Sequence, residues 1–252
     1  MEFTGIATAA AKAGGAILRS HFESLPEVRA KGHHDVVSDA DVQSEQKILD
    51  IVNAACPDHA VVAEESGGRD TASPYTWYVD PMDGTNCFVM GVPYFSVSVA
   101  LAHRGEVVVG VVYNPLQDEL YVAERGGGAF RNGERIAVSD CAALEEALVG
   151  SGYEGEPDAI RSGLRMVEAV SLRVRKVTVH FSPALDLCNI ARGRMHAYVD
   201  EWTTPEDHAA GSLIVTEAGG RVQDFGRDGW RVGVKGIVAS NGPIHDALTA
   251  LL

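Results

Sequence analysis

Residues 94 to 124, YFSVSVALAHRGEVVVGVVYNPLQDELYVAE, constrain this chain most: three β-rich runs are separated only by His103-Arg104-Gly105 and by Asn114-Pro115. Breaks that short join strands as an antiparallel meander. Helical periodicity precedes it. Ile6, Ala9, Ala10, Ala13, Ile17 and Leu18 recur at helical spacing between Phe3 and Phe22, with Pro26 just beyond. Ser38 is a candidate N-cap for DADVQSEQKILDIVNAA, whose Val42, Ile48, Leu49 and Val52 are expected to face inward before Cys56-Pro57-Asp58 ends the helix. Short strands are expected around Val61-Val62 and Trp77 to Val79, each running into acidic residues.

After Gly126-Gly127-Gly128 and the turn Asn132-Gly133, strands and helices alternate, with helices expected over 184–191 and 206–218. Strands and helices thus segregate into layers of an α+β fold. No Pro- or Ser-rich linker divides the chain, so residues 1–252 are expected to form one domain. A soft internal boundary near 139–145 separates an N-terminal α+β half from a C-terminal α/β half.

A content of 46% apolar residues in a chain of 252 suffices for a sizeable core. Lys plus Arg number 21 against 35 Asp plus Glu, and the resulting charge of -14 argues against nucleic acid and anionic lipid as partners. The four cysteines, Cys56, Cys87, Cys141 and Cys188, follow no CxxC spacing and point to a reducing compartment. With no basic leader and no apolar run of membrane-spanning length, the expected location is cytoplasmic.

The chemistry concentrates in DPMDGT, Asp80 to Thr85, where a strand gives way to a helix. Asp80 and Asp83 can turn to one side there, and the amides of Gly84, Thr85 and Asn86 can receive a phosphate at the helix start. Two carboxylates beside an anion pocket make sense with hard divalent cations between them, and oxygen-only ligands favour magnesium. Read alone, the segment is equally an acidic turn that caps a helix. Further acidic residues recur at strand ends and helix starts: Glu64 and Glu65, Asp35 and Asp41, and Asp207. Sites on layered α/β folds form at such places.

The ordered series KGHHDVVSDAD (Lys31 to Asp41), AEES (Ala63 to Ser66), WYVDPMDGTNCF (Trp77 to Phe88), GVVYNP (Gly110 to Pro115), GGGAFRNGERIAVS (Gly126 to Ser139), ALDLCNIARGR (Ala184 to Arg194) and EDHAAGSLIVTEAGG (Glu206 to Gly220) resembles the inositol monophosphatase family, kin to fructose-1,6-bisphosphatase. The resemblance implies a layered αβαβα sandwich, commonly dimeric, and a lithium-sensitive, magnesium-dependent phosphomonoesterase with two or three ions. By that resemblance Glu64, Asp80, the Met82 carbonyl, Asp83 and Asp207 match metal ligands, with Asp83 bridging. Asp41 with Thr85 matches the couple that activates water, a task in which Glu64 shares. Asp83, Gly84, Thr85, Pro183, Asp200 and Asp207 fall where substrate binds, and Glu65 and Asp35 stand behind the ligands.

The pattern is broken near the expected leaving group. Cys87 replaces a usual asparagine, Pro183 has no N–H to offer a substrate, and Glu206 stands where an aromatic residue usually precedes the metal-binding Asp207. His180, beside Phe181, is a further candidate for the substrate mouth. The expected substrate is a small polyol or sugar phosphate, inositol monophosphate first. The alternatives are another ester (fructose 1,6-bisphosphate, a nucleotide 3'-phosphate, histidinol phosphate or a biosynthetic intermediate) and a non-catalytic regulatory protein on the same fold.

Overall fold

Gly14 and Gly15 bring the first helix, α1 (Glu2–His21), into close contact with its neighbours. A β-carbon on Gly14 would stand 2.7 Å from the Ile48 side chain, and one on Gly15 would stand 2.6 Å from the Tyr113 ring. In the computed structural model, residues 2–22, 28–30, 36–153, 157–225 and 230–252 are described. A two-stranded antiparallel ribbon, β1 (Val28–Ala30) and β2 (Val36–Ser38), leads into α2 (Asp39–Ala55), which begins at the expected N-cap Ser38. One expectation for α2 fails: Val42 is exposed. The inward face follows Asp41, Ser44, Glu45, Ile48 and Val52 at three- and four-residue spacing, and Val42 lies off that stripe.

The first sheet has seven strands in chain order: β3 (Ala60–Ala63), β4 (Tyr75–Asp83), β5 (Ser96–His103), β6 (Glu106–Asn114), β7 (Glu119–Glu124), β8 (Gly128–Arg131) and β9 (Glu134–Arg135). Only β3 and β4 pair in parallel; β5 to β7 are the meander expected over 94–124. A short helix, α3 (Thr85–Val89), follows β4 directly.

Residues 136–147 carry the chain to a second, mixed sheet of β10 (Leu148–Ser151), β11 (Lys176–Thr178), β12 (Ala197–Asp200), β13 (Arg221–Gln223) and β14 (Ile237–Ser240), ordered β11-β10-β12-β14-β13. Its helices are α4 (Pro157–Ser171), α5 (Pro183–Ala191), α6 (Pro205–Glu217) and α7 (His245–Thr249).

Three apolar clusters bind five layers. One joins α1 and α2 to the outer face of the seven-stranded sheet around Trp77, Phe88 and Val111. A second fills the space between the sheets, where α5 and α6 lie, around Leu187, Ile190, Ile214 and Tyr198. The third packs α4 and α7 on the far side of the five-stranded sheet around Val149, Met166 and Leu248. The order is therefore αβαβα, an α+β sandwich. Burial on both faces of each sheet explains their nearly continuous apolar runs, such as SVSVALA in β5. No described helix is long and apolar enough to cross a membrane.

Candidate functional site

Asp80 and Asp83 are an odd number of residues apart, so in a regular strand their side chains would point to opposite faces. The β4–β5 register shifts between them: Asp80 opposes Ser98, and Asp83 opposes Ser96. This one-residue bulge re-aims the second carboxylate, so both reach one site. Asp80 Oδ1 accepts from the Met82 amide at 2.9 Å, and the Pro81 carbonyl accepts from Ser44 Oγ at 3.0 Å, which pins the bulge to α2.

Asp83 is held from three sides. Its Oδ2 accepts from Ser96 Oγ at 3.1 Å and from Ser182 Oγ, and its carboxylate also accepts from the Ala184 amide. Asp83 thus takes up a free amide in the first turn of α5, next to Pro183, which has none to give.

Asp41 and Asp207 arrive by one device used twice. Each is the third residue of its helix and closes a capping box, Asp41 with Ser38 and Asp207 with Thr204. Ser38 N donates to Asp41 Oδ2 at 2.7 Å, and Thr204 N donates to Asp207 Oδ2 at 2.7 Å. Asp41 Oδ1 accepts from Thr85 Oγ1 at 3.1 Å, and the Met82 carbonyl lies 3.0 Å from the same hydroxyl.

The cluster is acidic and desolvated. Asp80 and Asp83 are 2% and 3% exposed. Burial first, then the charges of Glu64, Asp83 and Asp207, hold the Asp80 carboxyl well above the usual range, and Glu64 shares a hydrogen bond with it. Burial likewise raises Asp83, offset by Ser182. Burial also pushes Asp207 up to about 6, with Glu206 adding to the rise and the Thr204 amide opposing it. Asp41 is pushed up to about 6 by burial despite its bonds to Ser38, with Glu65 contributing.

No Lys or Arg among the described residues pairs with Asp80, Asp83 or Asp207. Nor, among the described residues, do three His, Cys, Asp or Glu side chains stand ready-made to hold a metal ion. Like charges without a cation repel, and the charges of Glu64, Asp83 and Asp207 add to burial in raising the Asp80 carboxyl. An all-oxygen donor set under such strain fits a hard divalent cation.

Gly84, in left-handed backbone at φ 100°, caps α3 without a side-chain bond. A β-carbon there would also meet the Tyr94 carbonyl at 2.8 Å, so residue 84 is glycine for two reasons.

Asp200 is 6% exposed, with Oδ1 accepting from the Trp202 and Thr203 amides and Oδ2 from the Tyr198 hydroxyl. These bonds fix the orientation of the Asp200 carboxylate. Asp35 lies outside the described residues. Glu206 is half-buried, and its carbonyl accepts from Ser98 Oγ at 3.1 Å. Cys87 Sγ donates to the His180 carbonyl at 3.1 Å.

The sequence reading did not single out Glu45, Ser44, Ser96 or Ser182. Glu45 is 4% exposed and accepts from the Glu65 and Ser66 amides at 2.8 and 3.0 Å, fixing the segment that carries Glu64. Its signal was available: Glu45 follows Asp41 by four residues, on the same face of α2.

Comparison with protein families matches residues 1–252 to the inositol monophosphatase family. Inositol monophosphatase 2 of Solanum lycopersicum is 37% identical over 98% of this chain and 96% of its own length. The fructose-1,6-bisphosphatase/inositol-1-monophosphatase of Aquifex aeolicus is 36% identical over 97% of this chain and 93% of its own. Among solved structures, the extragenic suppressor protein suhB of Bartonella henselae superposes with a TM-score of 0.92 at 34% identity, covering 100% of this chain and 98% of that one.

Proposed function

The chain belongs to the inositol monophosphatase family of phosphatases, and on that premise we propose that it hydrolyses a small polyol or sugar phosphate with magnesium bound by Glu64, Asp80, the Met82 carbonyl, Asp83 and Asp207. The observation that carries this reading is the convergence of four carboxylates, with Asp80 and Asp83 buried and no Lys or Arg partner for Asp80, Asp83 or Asp207 among the described residues. When bound, two or three magnesium ions supply charge neutralisation and lower the pKa of water, so no protein nucleophile is needed.

The chain's own residues divide the remaining work. Asp41 accepts the Thr85 hydroxyl proton, which orients that hydroxyl toward an attacking water and lets the pair take up a proton from it. Amides of Gly84 and Thr85 receive phosphoryl oxygens at the start of α3 as charge spreads over them. Ser96, Ser182 and the Ala184 amide hold Asp83 in one rotamer, so the shared ligand is set before substrate arrives.

A second reading, hydrolysis of a sugar bisphosphate, is favoured by the substituted alcohol side. Pro183 opens α5 without an amide to give, and Glu206 adds a carboxylate beside Asp207.

Phosphate release from purified protein tests both readings. Magnesium-dependent turnover of inositol, sugar or bisphosphate esters, abolished by EDTA and lowered about a hundredfold or more in Asp83→Asn, is expected. Release that survives both treatments unchanged rejects the mechanism. Relative rates on inositol 1-phosphate and fructose 1,6-bisphosphate then choose between the substrates.

A further inference from the structure

His180 has no task in the mechanism above, yet the fold positions it with care. Its Nδ1 lies 2.9 Å from Asp186 Oδ1, which also accepts from the Tyr94 hydroxyl at 2.5 Å; Asn189 in turn donates to that hydroxyl at 2.9 Å. The Tyr94 ring packs 4.8 Å from the imidazole, centroid to centroid.

Asp186 is 1% exposed and its Oδ2 makes no hydrogen bond among the described residues, so a buried negative charge here calls for a cation. The imidazole of His180 is the group placed to supply it, and its hydrogen bond to Asp186 raises the His180 pKa above the ordinary histidine value. When protonated, the ring gives its Nδ1–H to Asp186 and presents Nε2–H as a second donor. Nε2 makes no hydrogen bond among the described residues, and the side chain is 36% exposed.

The backbone brings this residue close to the site. Phe181, between His180 and Ser182, has φ 57°, a left-handed conformation that a bulky residue rarely adopts. The chain reverses there, so His180 reaches Asp186 while Ser182 reaches Asp83. The His180 carbonyl meets Cys87, two residues after Thr85, and the Tyr94 ring that packs on the imidazole lies within reach of the Asp83 charge, so His180 stands near the carboxylate cluster.

We propose that His180 is a specificity-determining residue whose Nε2–H binds an anionic oxygen group, a carboxylate or a second phosphate, on the alcohol part of the ester, with Asp186 as its positioning residue. This rests on the phosphatase reading and narrows its substrate class. A charge-assisted donor distinguishes an anionic acceptor from a neutral hydroxyl more strongly than an uncharged donor does. In a chain of net charge -14, a fixed cationic donor at the rim also offsets repulsion of an anionic substrate.

Calorimetric binding of three uncleavable probes to the magnesium-loaded full chain tests the assignment apart from turnover: ethylphosphonate, 2-carboxyethylphosphonate and ethane-1,2-diphosphonate. Wild type is expected to bind at least one of the two doubly anionic probes about tenfold or more tightly than ethylphosphonate. Whichever is preferred identifies the acceptor. His180→Gln is expected to bring all three probes within about twofold, and Asp186→Asn to reduce the preference while Tm reports any loss of folding.

Equal binding by wild type, a preference that survives in His180→Gln, or no binding of any probe overturns the proposal. Should the preference hold while no ester releases phosphate, the hydrolytic reading fails and the His180 assignment stands.

Discussion

The Thr85 hydroxyl lies 3.1 Å from Asp41 Oδ1 and 3.0 Å from the Met82 carbonyl, linking the start of α2 to the bulge of β4 and the start of α3. A hydroxyl has one proton and two lone pairs, so donation to Asp41 leaves it able to accept from a water.

Thr85→Val removes that hydroxyl and keeps the branched shape. Phosphate release should fall about a hundredfold in kcat with a smaller change in KM, and Thr85→Ser should recover most of the loss. Because Thr85 is only partly buried, Tm should change little. A Thr85→Val enzyme with wild-type kcat would remove the hydroxyl from the mechanism.

Asp80 gives a prediction whose sign depends on metal. In EDTA its carboxylate stands in a desolvated cluster among Glu64, Asp83 and Asp207, so Asp80→Asn should leave stability unchanged or raise it. The Asn carbonyl can still accept from the Met82 amide. At magnesium about 100 times its dissociation constant, wild type should gain about 2.7 kcal/mol, whereas Asp80→Asn should gain much less. Paired urea melts with and without magnesium measure the difference, and equal magnesium gains in both proteins would mean that Asp80 does not bind the ion.

Local signals explain why much of the fold was legible. The helix over residues 39–55 and its Ser38 cap needed only spacing and a short polar side chain, and the meander needed only β-rich runs and short turns. Val42 misled because it is apolar one position away from a stripe that begins with Asp41. The candidate site was legible as a set of residue types through family resemblance, but not as geometry. No sequence pattern announces the bulge that lets Asp80 and Asp83 face one way, or the choice of Asp83 as acceptor for Ser182 and the Ala184 amide. Those depend on contacts between segments distant in the chain, as do the internal partners of Asp200.

Glu45 should behave as a positioning residue. Glu45→Ala leaves the Glu65 and Ser66 amides without their acceptor and frees the segment that carries Glu64. Magnesium affinity should weaken roughly tenfold to a hundredfold, the range for a group that supports a metal ligand. The magnesium concentration for half-maximal activity should therefore rise, and Glu45→Gln, which keeps one acceptor oxygen, should lie between wild type and Ala. An unchanged magnesium dependence in Glu45→Ala would confine Glu45 to a structural role.

His208 sets a pH dependence of folding whose direction follows from burial alone. Its side chain is fully buried, packs edge-on to Trp230 at 5.9 Å, and neither ring nitrogen has a hydrogen-bond partner among the described residues. Burial pushes its pKa down to about 3. The unfolded chain therefore binds more protons than the native state between the ordinary value near 6.5 and about 3, and stability is lost as pH falls through that window. Raised carboxyl values at Asp80 and Asp83 act in the opposite sense, so the His208 contribution must be read as a difference. Relative to wild type, His208→Phe should gain roughly 2 kcal/mol in unfolding free energy between pH 7 and pH 5, at about 1.4 kcal/mol per pH unit below 6.5. Urea melts of both proteins at the two pH values give that difference directly. Stability curves that stay parallel would mean that the His208 ring is solvated or protonated in the folded chain.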